Sequence, residues 1–294
     1  MSATLFRQPY LDGSKIKVRM RYRLSVKAFL VHLSLALLGL IIAVPLYWTV
    51  MSSLTTNDSL FTGAITWIPP ALHVENYTNA FQAAPFGRYF LNSAVVAVAV
   101  TAITLLTSAL AGYGFAKLHF PGRNVLFAVV LAALMVPFPA IMIPLFVLVR
   151  QLHLLDSYAG LIIPGAVSGF GIFMMRQFMS RLPDALLEAA RLDGCNELQI
   201  FWFIVLPSSR SALAALAVLT FLASWNNFVW PLLVVQSPDY TTVPLGLALF
   251  RGAYATNYTQ ILAASLVAAA PVVLLYLAMQ RQIIASFISS GLKG

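Results

Sequence analysis

The residues whose types and spacing could do chemistry are concentrated in one stretch, Leu182 to Pro207, reading LPDALLEAARLDGCNELQIFWFIVLP. It is the longest charged interruption between apolar segments after the N-terminus, and it holds the chain's one cysteine, Cys195. One cysteine rules out an intrachain disulfide and a multi-cysteine metal site. Cys195 reads as a small loop residue, since free cysteine packs like a small hydrophobe. No G-x-x-x-x-G-K-[ST] phosphate loop occurs, and Lys293 has no such context. There is also no nucleophile elbow or paired-histidine metal motif. The chain therefore offers no catalytic residue and no metal site, and it should not hydrolyse ATP alone.

What the stretch offers instead is a short helix. Pro183 suits a first helical turn and Gly194 suits a helix end. The ten residues between make about three turns, with acids near the start, where the helix dipole favours them. Leu186, Ala189 and Ala190 are spaced to share one smooth face. A surface helix this short is marginal alone, so it is expected to dock on something.

The elements that position this loop follow from composition. Of 294 residues 60% are hydrophobic and 9% charged, with a mean hydropathy of +0.86. A soluble domain carries more charge. The apolar residues fall in runs of roughly 17 to 25, the length that spans a bilayer as a helix. A β-barrel would instead alternate apolar and polar over about ten residues. The fold class is an all-α integral membrane protein with six transmembrane helices. The six are Ala28–Val50, Tyr89–Phe115, Val125–Val149, Ala159–Met175, Ser211–Val235 and Gln260–Met279. The first is too long for a signal peptide and has no small-residue cleavage site.

Six spans put both termini on one side. With that side cytoplasmic, 15 of the 18 Lys and Arg residues lie inside, and only Arg88, Arg150 and Arg251 lie outside. This is a strong positive-inside signal. It makes the net charge of +9 a matter of topology rather than nucleic-acid binding. The domains are then a basic cytoplasmic tail (1–27), the six-helix transmembrane domain (28–284) and a cytoplasmic C-terminal tail (285–294). The loop 182–207 faces the cytoplasm.

The spans hold almost no ionisable side chain at depth, and His32 reads as interfacial. Ion-coupled carriers commonly place such groups there, although sodium can be held by carbonyls. A neutral polar solute needs only hydroxyls, amides and aromatic faces. The fifth span supplies them at Trp225, Asn226, Asn227 and Phe228. Amides buried in lipid are costly without partners, so Asn226 and Asn227 face another helix or a solute path. The same alternatives hold for Asn92 and Ser93. Prolines 137, 139 and 144 in the third span bend it, either for shape alone or to line a pathway. Glycines 160, 165, 169 and 171 in the fourth allow close helix approach.

EAARLDG followed by IFWFIVLP resembles the EAA loop of ABC-importer permeases, here Glu188, Ala189, Ala190, Gly194, Ile204, Leu206 and Pro207. FLNSAVVA (90–97), AGYGFAKLHFPGR (111–123), LLDSYAGLIIP (154–164) and SWNNFVWPL (224–232) resemble the carbohydrate-uptake, MalG-like branch. The resemblance implies a type I importer fold in a bacterial or archaeal cytoplasmic membrane. It implies partners as well: a second permease subunit, usually forming a heterodimer, two cytoplasmic ATPase subunits and an external solute-binding protein. ATP and magnesium sit on the ATPases, and no cofactor is bound by this chain. The loop helix becomes the coupling helix, with Glu188, Ala189, Ala190, Asp193, Gly194, Leu206 and Pro207 as ATPase-coupling residues. Glu188 pairs with a basic residue of the ATPase. The external loop 237–254, with Tyr240, Thr241, Gly246 and Leu247, corresponds to the binding-protein contact. The C-terminal SGLKG, with Gly291 and Lys293, corresponds to a tail inserted between the ATPases. The implied solute is an oligosaccharide, disaccharide or polyol. Glycerol 3-phosphate is a second possibility within the branch, and an ion-coupled carrier is the alternative outside it.

Overall fold

A computed structural model describes the backbone of residues 26–62, 67–253 and 257–291, and the side chains of 29–62, 67–250 and 257–280. The basic N-terminal residues 1–25 and Lys293 lie outside the described residues. The described chain is all-helical. It divides into two units, Met1–Tyr47 and Trp48–Gly294.

In the first unit lies most of α1 (Val26–Ser53). Leu40, Ile41 and Ile42 are each more than three-fifths exposed, as a helix facing hydrocarbon requires.

The larger unit begins at the end of α1. The expected external loop 51–88 is not irregular throughout: it holds a 3₁₀ turn (Asp58–Phe61) and α2 (Glu75–Ala83). Asn76 pins α2 to the end of α1, donating from Nδ2 to Ser53 O and Thr55 O, both at 2.9 Å. The polar stretch thus folds because its amides satisfy one another.

α3 (Phe86–Lys117) is one unbroken span of 32 residues, three residues longer at its start than the second apolar run suggests. The third expected span is instead two helices, α4 (Arg123–Leu134) and α5 (Phe138–Gln151), bent by 99°. Pro137 stands in extended conformation at the break. A proline cannot donate to the turn before it and excludes helix from its neighbour. The expected bend is therefore a right-angled break.

The fourth span starts as α6 (Tyr158–Ile162), tightens into a 3₁₀ turn (Ile163–Gly165) and restarts as α7 (Gly169–Met179) at 43°. It runs four residues past Met175. α7 crosses α3 closely: a Cβ on Gly171 would lie 2.3 Å from Ser108 Oγ, and one on Gly112 2.6 Å from Met175 Cβ. The glycines of the fourth span do permit close approach, but Gly112 on the opposing helix is equally required.

The charged loop carries α8 (Asp184–Leu192), then α9 (Glu197–Ile200), a π-helical turn (Phe201–Val205) and α10 (Leu206–Ser208). Residues 197–208 were expected as loop and are helical. α11 (Arg210–Trp225) leaves this segment at 76°. The fifth span therefore stops at Trp225, and after three unwound residues α12 (Val229–Val234) resumes. The expected polar loop 236–259 contains a 3₁₀ turn (Pro238–Tyr240) and α13 (Val243–Ala253). α14 (Tyr258–Gly291) extends the sixth span by a dozen residues, so that Gly291 ends a helix. Among the described residues three helices are long and apolar enough to cross a membrane, or up to six if each bent pair is one span.

Candidate functional site

α8 sits where the sequence places it. Pro183, at φ −62° and ψ 129°, is its N-cap rather than a first-turn residue. Lys117, at the end of α3, is only 8% exposed and donates from Nζ to Leu182 O and Asp184 Oδ1, both at 2.6 Å. That hydrogen bond and the ammonium charge hold the Asp184 carboxyl below its ordinary value. A carboxyl pKa lower in the folded state contributes stability above the unfolded value of 3.8 and loses it as pH falls through the folded one. Thermal midpoints measured between about pH 3 and 6 should therefore decline on the acid side, and Lys117→Met should flatten that decline.

The other end of α8 closes in a Schellman motif. Gly194, at φ +85°, donates to Arg191 O at 3.1 Å, and Cys195 N–H donates to Ala190 O at 3.0 Å. A Cβ on Gly194 would meet nothing within 4 Å, so conformation and not space demands glycine. The chain then restarts with a capping box that the sequence reading missed. Asn196 Oδ1 accepts from Gln199 N–H at 2.9 Å, and Gln199 Oε1 accepts from Asn196 N–H at 2.8 Å. The N-x-x-Q spacing was its signal. Glu197 joins three elements: Arg191 Nε donates to its Oε1 at 2.8 Å, and the Tyr113 hydroxyl of α3 donates to its Oε2.

One assignment of face needs correction. Leu187 and Ala190 turn inward, packed in a core with Tyr113, Met175, Met179, Ile200, Phe201 and Val205. Leu186, Glu188, Ala189 and Asp193 are exposed, and Leu192 is 89% exposed. Ala190 therefore lies against the helix's own protein, three residues from Leu187 on one face, and the outward surface is Leu186, Ala189 and Leu192 flanked by Glu188 and Asp193. Leu206 packs half-buried against the core, and Pro207 is exposed in the first turn of α10.

The second feature is a cavity of about 530 Å³. Residues at three of the helix breaks line it: Phe138 at the start of α5, Pro164, Gly165 and Ser168 where α6 gives way to α7, and Asn227 between α11 and α12. α3 forms one wall with Ser93, Val96, Val100 and Thr104. Hydroxyls from Ser168, Thr220, Ser224 and Thr242, the Asn227 amide and the rings of Phe138, Phe170 and Trp230 join apolar Leu161, Leu219, Ala223 and Pro231 around it, and no lining residue is charged. Thr242 Oγ1 is buried and has no hydrogen-bond partner among the described residues, a group that a hydroxylated guest would satisfy. Irregular backbone at membrane depth is tolerated where it lines such a space.

Comparison with known proteins decides the family. The model for "Binding-protein-dependent transport system inner membrane component" matches residues 105–284, which hold α8 and all of the cavity lining except its α3 wall. The chain belongs to that family. An arabinooligosaccharide transport permease of Halalkalibacterium halodurans is 38% identical over 92% of this chain and 98% of its own. A lactose transport permease of Rhizobium radiobacter is 38% identical over 84% and 89%. An sn-glycerol-3-phosphate transport permease of Yersinia pestis is 34% identical over 88% and 95%. Among solved structures, a bacterial ABC transporter involved in import of the acidic polysaccharide alginate superposes with a TM-score of 0.75, at 25% identity over 87% of this chain and 98% of that one. This protein is thus a membrane-embedded ABC-importer permease subunit, which is not the catalytic part of such a transporter.

The remaining residues singled out from the permease sequence fall in several places. Trp225 is 4% exposed and donates from Nε1 to Ala268 O of α14 at 3.2 Å, with its ring stacked on Phe221. Asn226 is exposed and bonds back to Leu222 O at 2.9 Å, while Asn227 Oδ1 accepts from Trp230 N–H at 3.3 Å. These bonds close the end of α11 and the start of α12 rather than crossing between spans. Phe228 is the half-buried N-cap of α12. In the loop expected on the external side, Thr241 is buried, Tyr240 meets Tyr158 edge-on at 5.1 Å, and Leu247 packs on a small core. Gly246 is so close to Tyr89 that a Cβ would lie 2.3 Å from its ring. Asn92 is fully buried: its Nδ2 donates to Asp239 O at 2.9 Å and Thr241 O at 2.8 Å, and its Oδ1 accepts from Tyr158 OH at 2.6 Å. Ser93 Oγ accepts from Val243 N–H at 2.8 Å. Asn92→Leu strands those buried groups and is expected to destabilise by about 3 kcal/mol, read as a lower thermal midpoint of the purified protein.

Proposed function

We propose that this chain is the permease subunit of an ATP-driven, binding-protein-dependent sugar importer, coupled to a separate ATPase through α8. Its solute class is an oligosaccharide, disaccharide or polyol. The observation that carries the solute class is the cavity wall of hydroxyls, one amide and aromatic faces without a charge. Sugars present hydroxyls that such groups bond and ring faces that aromatics cover. The names of the arabinooligosaccharide and lactose relatives support the same class. Glycerol 3-phosphate, the solute in another relative's name, carries a phosphate for which the lining supplies no cation. Ion-coupled carriers commonly place an ionisable group at depth, and the lining has none.

In this reading six spans cross a bacterial or archaeal cytoplasmic membrane with both termini inside. A second permease subunit, two ATPases that bind ATP and magnesium, and an external solute-binding protein complete the importer. Glu188 meets a basic ATPase residue, and Gly194 permits the turn that presents it. Tyr240 and Leu247 are the partly exposed members of the binding-protein contact, with Thr241 and Gly246 holding that loop in place. Gly291 and Lys293 belong to the tail that reaches the ATPases.

The test is uptake by the reconstituted importer with competing solutes. A neutral di- or oligosaccharide should compete and glycerol 3-phosphate should not. Asn227→Leu should weaken uptake about tenfold, equivalent to one lost hydrogen bond to solute. Competition by glycerol 3-phosphate alone would overturn the solute class.

A further inference from the structure

Among the described residues, α3 reaches the 239–243 loop, the cavity and α8. At its external end Asn92 and Ser93 hold the backbone of residues 239–243. Along its middle Ser93, Val96, Val100 and Thr104 form the cavity wall. At its cytoplasmic end Tyr113 and Lys117, four residues apart on one face, reach opposite ends of α8. Lys117 binds the start of α8 through Leu182 O and Asp184. Tyr113 binds its last turn through Glu197, which also holds Arg191. Between these two clasps Leu187 and Ala190 pack in the same core as Tyr113. The candidate fourth, third and fifth spans are each broken by 43° or more, whereas α3 runs unbroken for 32 residues, about 48 Å at a helical rise.

We propose that α3 and α8 move as one rigid body, with Tyr113, Lys117 and Glu197 as positioning residues that make α8 transmit ATPase motion directly to the cavity wall. This rests on the proposed importer function. A helix held at one end only would pivot when pushed. Two clasps at opposite ends with packed side chains between them remove that freedom. Lys117 is almost wholly buried for this purpose: its charge is met by Asp184 on α8 itself, so separating the helices would leave an ammonium without its partner, which is costly. The small-residue crossing at Gly112 and Gly171 then carries α7 along with α3.

The experiment uses the whole importer: this chain with its second permease subunit, both ATPases and the solute-binding protein, reconstituted in liposomes. The readout is the ratio of ATP hydrolysis with solute-loaded binding protein to hydrolysis without it, beside uptake, complex yield and thermal midpoint. Tyr113→Phe with Lys117→Met should lower the stimulation ratio and uptake about tenfold, within the range for residues on a coupling route. Tyr113→Phe alone, which removes one hydroxyl and keeps the ring packed, should lower the ratio with unchanged yield and midpoint. It serves as the deciding variant should the double variant fail to assemble. Lys117→Arg, which keeps the donor and the charge, should retain most of the ratio. A Tyr113→Phe importer with the wild-type ratio overturns the proposal. A wild-type importer with no ATP-dependent uptake overturns the transport reading instead, so the two failures are distinguishable.

Discussion

Gly112→Leu is expected to separate α3 from α7 and prevent recovery of folded protein. A Cβ at position 112 would stand 2.6 Å from Met175 Cβ and 3.0 Å from the Arg176 backbone nitrogen. Met175 is fully buried, and backbone cannot rotate aside as a side chain does. Overpacking of this kind costs about 1–3 kcal/mol where neighbours can shift, and here the upper end applies. Small residues at such a crossing replace the hydrophobic driving force that lipid denies. Gly114 is two residues away and has nothing within 4 Å of its ideal Cβ. Gly114→Leu should therefore be tolerated. Monodisperse yield from detergent extracts of the two variants measures the contrast, and equal yields would refute the close crossing.

The second large effect concerns Gly194. Valine there must adopt φ near +85°, a left-handed conformation that costs an ordinary L-residue about 1–2 kcal/mol and a β-branched one more. The strain falls on the turn that ends α8, so the chain would relax by unwinding the bonds from Gly194 to Arg191 and from Cys195 to Ala190. Gly194→Val is expected to lower uptake and solute-stimulated ATP hydrolysis about tenfold while the complex still assembles. Gly194→Asn should be much milder, because asparagine visits that conformation. Glu188→Ala tests the outward face of the same helix. Glu188 is exposed and stands outside the core that seats α8, so its loss should leave stability intact and reduce coupling.

The loop helix was legible because its end signals are local. A proline, a glycine eleven residues on and an acid in the first turn define it without tertiary information. The membrane class and the approximate places of the long apolar helices follow from apolar run length. The breaks were harder. Hydropathy registers that a segment is apolar, not that it is straight, so Asn226 to Phe228 read as part of one helix and Pro137 as a mere kink. The inward turn of Ala190 was missed because alanine is equally at home on either face, and only the packing of Leu187 decides between them. Asn92 and Trp225 carried no signal separating structure from solute contact. Their bonds run to carbonyls 147 and 43 residues away, which no local pattern encodes. The cavity itself has contributors from Ser93 to Thr242, so its uncharged lining emerges only when the breaks are brought together.

The most direct measurement is uptake of a labelled neutral disaccharide or oligosaccharide into liposomes holding the complete importer, with the solute-binding protein outside and ATP inside. Solute should accumulate only when ATP, the ATPase subunits and the binding protein are all present, and Glu188→Ala should reduce it. Accumulation by this chain alone, unaffected by removal of ATP, would contradict the account.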